Sequence, residues 1–224
     1  MPEDLRYYSR PRSDIVHMIP SPVGRALEIG CGVGNTLMLL KEAGLIEWAG
    51  GVEIMPEAAA KAAGQLDQTW EGNVELLDLE TEIPPGSLDL IILMDVLEHL
   101  VDPWALVKRL TPFLSDHGAV IANIPNVRNK NIVKKLVFSG RWDYEEEGLM
   151  DRTHLRWFTR KTMTELLECG GLKVIETQPI PYLKPWKNKW IYTQLTLGLL
   201  RDFWPSSFMM RAERPGDRQI SRNG

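Results

Sequence analysis

The chain is short of cysteine, has no long apolar run and carries no excess of positive charge. Each shortage excludes something. Two cysteines, Cys31 and Cys169, stand among 224 residues, too few for a disulfide scaffold. Cys31 lies inside a glycine-rich loop, so no bridge is expected and the thiols suit a reducing cytosol. No apolar stretch approaches the roughly 18 residues that span a bilayer. The first residues include Glu3, Asp4, Arg6, Arg10 and Arg12 without an apolar core, so no signal peptide is expected and the expected location is cytoplasmic. Lys and Arg number 26 against 30 Asp and Glu, a net charge of −4. That balance argues against nucleic acid as the main partner. Internal repeats and low-complexity segments are absent. The length suits one α/β domain over 1–224 with a modest cap.

What is present begins with Ala26-Leu27-Glu28-Ile29-Gly30-Cys31-Gly32-Val33-Gly34-Asn35. An apolar run ends in an acid, three glycines follow at alternate positions, and an apolar-faced segment starts at Thr36. The pattern predicts a buried strand, a tight loop and a helix start. Glycine lets the backbone approach a ligand closely, and a helix N-terminus offers free N–H groups. Dinucleotide enzymes use G-x-G-x-x-G at this place. Here the third glycine comes one residue early, and the Glu28 carboxylate would face a pyrophosphate poorly but an ammonium group well. A tight turn without a ligand is the plainer alternative. The spacing E-x-G-x-G-x-G after a strand resembles motif I of the class I S-adenosylmethionine-dependent methyltransferases.

The segments downstream fit that resemblance. Trp48 to Glu53 reads as a second strand, with Glu53 placed to accept from both hydroxyls of a ribose; Ile54 and Met55 offer an apolar wall. Val74 to Leu77 reads as a third strand ending at Asp78. The resemblance gives Asp78 to an adenine amino group and the Leu79 backbone to the ring. Ser87 to Met94 reads as a fourth strand buried on both faces, followed by Asp95-Val96-Leu97-Glu98-His99-Leu100. Asp102 caps a helix expected over Trp104 to Leu114, with Pro103 at its first position. The D-V-L-E-H-L-x-D-P string again resembles this methyltransferase family. The resemblance implies S-adenosyl-L-methionine as cofactor, held by Glu28, Gly30, Cys31, Gly32, Gly34, Asn35, Glu53, Ile54, Asp78, Leu79, Met94 and Asp95. It implies no metal, and it makes His99 a structural residue rather than a catalytic one.

A fifth strand is expected over Gly118 to Ile124 after a turn at Ser115-Asp116-His117. Thr159 caps a helix over Lys161 to Cys169 that Gly170-Gly171 stops. Leu172 to Thr177 and Phe208 to Glu213 read as the sixth and seventh strands, the seventh antiparallel. The architecture is α/β: a doubly wound, seven-stranded, mainly parallel sheet of Rossmann-like methyltransferase type.

The 126–158 segment opens at the carboxyl ends of the strands, where ligands bind in such sheets, and is expected on the acceptor side. Its strings N-I-P-N-V-R, G-R-W-D-Y-E-E-E-G and D-R-T-H-L-R-W-F-T resemble a bacterial methyltransferase subfamily grouped with polysaccharide assembly. That resemblance implies a hydroxyl of a sugar or glycan precursor as acceptor. An amino-sugar nitrogen, a small quinone-like acceptor and a regulatory module without turnover are the alternatives. His154 is the candidate general base, with Asp151 orienting the ring or touching the acceptor; a structural knot is the competing reading. Tyr144 and Glu145 to Glu147 line a sugar or cation site or form a solvated loop. Residues 1–22 form an N-terminal cap, packed on the core or closed over the cofactor. The aromatic 182–204 insertion reads as a lid, a homodimer face or a peripheral membrane contact.

Overall fold

The computed structural model describes residues 9–19, 21–181 and 200–215. Seven strands form one sheet: β1 (Val23–Ile29), β2 (Ile46–Glu53), β3 (Gln68–Glu71), β4 (Leu88–Met94), β5 (Leu114–Pro125), β6 (Lys173–Pro181) and β7 (Pro205–Glu213). Their order is β3-β2-β1-β4-β5-β7-β6. The first five pair in parallel, and β7 runs antiparallel between β5 and β6. The expected doubly wound sheet with an antiparallel seventh strand is what the chain forms. The helices are α1 (Asn35–Glu42), α2 (Pro56–Ala63), α3 (Pro103–Leu110), α4 (Lys130–Ser139) and α5 (Arg160–Glu168).

The core follows from the apolar runs. β4 carries Leu90, Ile91, Ile92 and Leu93, all buried because helices cover both sheet faces. On one face Leu27, Ile91 and Leu93 pack with Leu106, Leu110, Met163 and Leu166 from α3 and α5. On the other Ala26, Leu90 and Ile92 meet Leu37 and Leu40 of α1 and the Ile15 and Met18 of a short N-terminal turn. Asp102 accepts from Ala105 N–H at 3.0 Å to start α3, and Thr159 forms a reciprocal cap with Thr162 to start α5.

Three expectations need correction. Val74 to Leu77 is a turn, and the third strand lies earlier, at β3. Asn73 Oδ1 accepts from Glu75 N–H, and Glu75 in turn accepts from the Val101 and Asp102 N–H groups, so this apolar run serves a polar knot. The helix after Asp102 ends at Leu110, and Pro112 lies in a tight turn over Thr111–Phe113. Ser115-Asp116-His117 belongs to β5, where the β4 register shifts between Leu88 and Leu90. The segment after β5 contains a helix, α4, with only Ile132 buried. Most of the 182–204 insertion lies outside the described residues, as do Tyr7 and Tyr8. No helix among the described residues is long and apolar enough to cross a membrane.

Candidate active site

The parallel strands β1, β2 and β4 end side by side at one edge, and the chain leaves each in a loop. After β1 the three glycines take positive φ: 72° at Gly30, 56° at Gly32 and 87° at Gly34. At Gly30 the requirement is double, because a Cβ there would lie 2.8 Å from Val96 Cγ2. At Gly34, the residue before α1, it would lie 3.0 Å from Leu66. Cys31, expected at the cofactor, turns its thiol inward against Gly51, whose own Cβ would sit 2.5 Å from Sγ. Burial raises that thiol's pKa, so it stays protonated, and the backbone is what Cys31 offers.

Two buried acids flank the loop. Glu53, ending β2, is 3% exposed. Its Oε2 accepts from Gly32 N–H at 2.8 Å and its Oε1 from Met55 N–H at 2.9 Å. A carboxylate has about four lone-pair positions, so these bonds fix its orientation and leave acceptor capacity. Glu28 is equally buried, and its Oε2 has no hydrogen-bond partner. Burial pushes its pKa to about 8, against the lowering effects of the Thr36 hydroxyl and the Arg12 charge. Ile54, 61% exposed, presents apolar surface beside them. Asp78 is exposed, and Leu79 and Met94 are core residues. Asn35 Nδ2 donates to Ser9 O at 2.7 Å, and Arg12 N–H donates to Thr36 Oγ1 at 3.2 Å. The N-terminal segment therefore lies across the start of α1.

Asp95 links this loop to a second feature. It follows β4 with φ of 57°, unusual outside glycine. Its carboxylate accepts from Arg12 Nη1 and Asn123 Nδ2, each at 2.5 Å. Sequence reasoning missed the Arg12 pair, because 83 residues separate the partners.

Beside Asp95 opens a cavity of about 870 Å³. Glu98, His99, Asp151 and His154 line one side, and Asn131, Lys135, Arg141 and Trp142 belong to its wall. The 126–158 segment thus supplies most of the enclosure. His154 is 6% exposed, and its ring meets His99 edge to face at 4.7 Å. Burial lowers the His154 pKa, helped by the neighbouring His99 charge, while Asp151 opposes the shift; the ring is neutral near pH 7. Its Nδ1 lies 3.3 Å from Leu149 O. Asp151 Oδ1 instead accepts from Thr153 N–H and Oγ1–H, each at 2.7 Å, closing its own turn. Glu98 is 1% exposed with both carboxylate oxygens unpartnered. Burial and the Asp95 charge hold its carboxyl well above the usual range. Glu145 pairs with Lys135 and Glu146 with Arg152 at the cavity rim.

A sheet of this order, with a glycine turn and two buried acids at the ends of its first two strands, defines the Rossmann-like class I S-adenosylmethionine-dependent methyltransferase architecture. The chain belongs to the methyltransferase-domain family, which matches residues 5–177. It is 26% identical over 171 residues to a ubiquinone biosynthesis O-methyltransferase of Bradyrhizobium diazoefficiens, covering 74% of this chain and 64% of that protein. A trans-aconitate 2-methyltransferase of Agrobacterium fabrum is 28% identical over 125 residues, covering 55% and 47%. The chain thus spans about half to two thirds of these relatives. A SAM-dependent methyltransferase structure from Archaeoglobus fulgidus superposes with a TM-score of 0.64 at 20% identity, covering 90% and 92%. The residues present fit this cofactor: the buried Glu28 oxygen lacks a donor, which an ammonium group supplies, and Glu53 has acceptor capacity for a diol.

Proposed function

We propose that this chain is a methyltransferase that moves the methyl group of S-adenosylmethionine to an oxygen of a small acceptor held in the cavity beside His154. The carrying observation is the cavity itself. It adjoins Asp95 at the end of β4, it is walled by the 126–158 segment, and it has a buried, neutral imidazole in its lining. When bound, the cofactor supplies a methyl group on a positively charged sulfur, an electrophile that needs no further activation. The protein's own work is then to orient the acceptor and exclude water. Glu28, Gly32 and Glu53 hold the cofactor, with the Ile54 and Met55 side chains and Asp78 on its adenosine side. The Leu149 carbonyl accepts from Nδ1–H of His154 and leaves Nε2 with its lone pair. That nitrogen receives the proton an acceptor hydroxyl must lose. Asp151 shapes the turn that carries His154.

The names of the ubiquinone-biosynthesis relatives favour the small quinone-like acceptor over the glycan precursor that the 126–158 strings suggest. Residues 1–224 act as one domain on this reading. Incubating the protein with methyl-labelled S-adenosylmethionine and a panel of catechols, quinols, nucleotide sugars and amino sugars tests it. Label is expected in a methyl ether. Cofactor binding without transfer to any acceptor would favour the regulatory reading instead.

A further inference from the structure

We propose that Glu98, His99 and His154 form a binding site for one divalent transition-metal cation at the base of the acceptor cavity. One ligand atom from each of the three residues lies within 4.8 Å of the others, a spacing that small side-chain rotations would close onto a single ion. This proposal departs from the expectation that the chain binds no metal.

Three independent observations point to a cation. Glu98 is 1% exposed, and neither carboxylate oxygen has a hydrogen-bond partner. A buried carboxyl without a partner is costly, and such groups are normally paired or bound to metal. Both imidazoles are also held in the form a metal needs. His99 Nδ1 lies 3.3 Å from Thr153 O and 3.1 Å from Thr153 Oγ1. His154 Nδ1 lies 3.3 Å from Leu149 O. A backbone carbonyl can only accept, so each Nδ1 carries a proton, and Nε2 is the atom each neutral ring would offer a metal. Anchoring of this kind is the usual support of metal-ligating histidines. Finally, the backbone ties the two halves of the set together. Glu98 O accepts from Leu155 N–H at 2.8 Å and Arg156 N–H at 3.0 Å, so the turn after β4 and the end of the 126–158 segment are locked in register.

One carboxylate and two imidazoles suit Zn²⁺, Co²⁺ or Fe²⁺ better than Mg²⁺ or Ca²⁺, which prefer all-oxygen shells. Three protein ligands leave coordination positions open toward the cavity, as in catalytic rather than structural sites. The class of ligand those positions take is an acceptor oxygen, from a hydroxyl or an adjacent pair of hydroxyls. On binding, a metal–oxygen bond forms and the O–H bond breaks. The proton leaves to water in the open cavity, and the oxygen keeps the electron pair. This last step rests on the proposed methyl transfer; cation binding does not. In the loaded protein the cation replaces the His154 lone pair as the group that activates the acceptor.

Titration of chelator-treated protein with Co²⁺ tests the site. The expected result is one Co²⁺ per chain with visible absorption bands of a four- or five-coordinate ion, displaced by Zn²⁺. His99→Ala and His154→Ala should each weaken Co²⁺ binding by at least about tenfold, the scale on which even supporting residues act. His99 is only half-buried, so its variant keeps the test open if Glu98→Gln fails to fold. S-adenosylhomocysteine binding, measured in the same samples, should be indifferent to chelator, which separates this proposal from the cofactor reading. No stoichiometric Co²⁺ uptake, or uptake unchanged in both histidine variants, would overturn it.

Discussion

Removing the Glu53 carboxylate separates two roles that the structure gives one side chain. In the free protein Glu53 accepts from Gly32 and Met55 N–H at 2.8 and 2.9 Å in a site 3% exposed. Glu53→Ala leaves the buried Gly32 donor without a partner, while the Gly30 and Cys31 N–H bonds to Val52 O still tie the loop to β2. Hydrogen bonds to a charged group contribute about 1.5–3 kcal/mol each, and an orphaned donor costs about 1–3 kcal/mol. A loss of roughly 2–5 kcal/mol of folding stability is expected. At about 2–4 °C per kcal/mol for a domain of this size, the melting temperature falls by roughly 4–20 °C. The second role is toward the ribose diol. Loss of its bonds to the carboxylate should weaken S-adenosylhomocysteine by about 1.5–3 kcal/mol, or roughly 10- to 150-fold. Glu53→Gln retains one acceptor oxygen and should fall between wild type and alanine in both measurements. Calorimetric titration beside a thermal melt reads both. A folded Glu53→Ala protein with wild-type affinity would refute the ribose role, and one with an unchanged melt would refute the loop role.

Gly30→Ala adds a Cβ 2.8 Å from Val96 Cγ2 at φ of 72°; it should cost about 1–2 kcal/mol in backbone strain alone and reduce S-adenosylhomocysteine affinity, as seen by melt and calorimetry. In metal-free protein His154→Ala should lower turnover by about 10²–10⁴-fold, the usual share of general acid–base catalysis, with cofactor affinity unchanged in a binding titration. Glu28 has a folded pKa raised to about 8 from 4.5 by burial, so between those values the folded state binds more protons than the unfolded one. Stability therefore falls as pH rises through that window and levels off above it. Glu28→Gln should remove this share of the fall in melts run from pH 4.5 to 8.5, and saturating S-adenosylhomocysteine should reduce it in wild type.

The parts of the fold legible in the sequence are those fixed by local chemistry. The run from Ala26 to Asn35 encodes strand, turn and helix start within ten residues, because the glycines and the apolar periodicity act locally. The caps at Asp102 and Thr159 are side-chain bonds across three residues. What escaped depends on distant partners. Val74 to Leu77 has the composition of a strand, but Asn73 and Glu75 bond it to the segment before α3. Helix α4 carries Ile132, Val133, Leu136 and Val137 at helical spacing, but they stand in an Asn- and Lys-rich stretch and only Ile132 is buried.

The site divides the same way. Glu28 and Glu53 could be found by spacing from the glycines. Pairing Glu98 and His99 with His154 could not, because those residues lie in different segments that only the folded cavity brings together. The Arg12–Asp95 pair needs the N-terminal segment to cross the loop.

The most direct test of the account is a paired calorimetric titration of the purified chain with S-adenosylhomocysteine and with NAD. The account predicts one S-adenosylhomocysteine per chain, lost when Gly32→Val puts a β-branched side chain at a positive φ, and no heat of binding from NAD. Saturable NAD binding with no response to S-adenosylhomocysteine would contradict it.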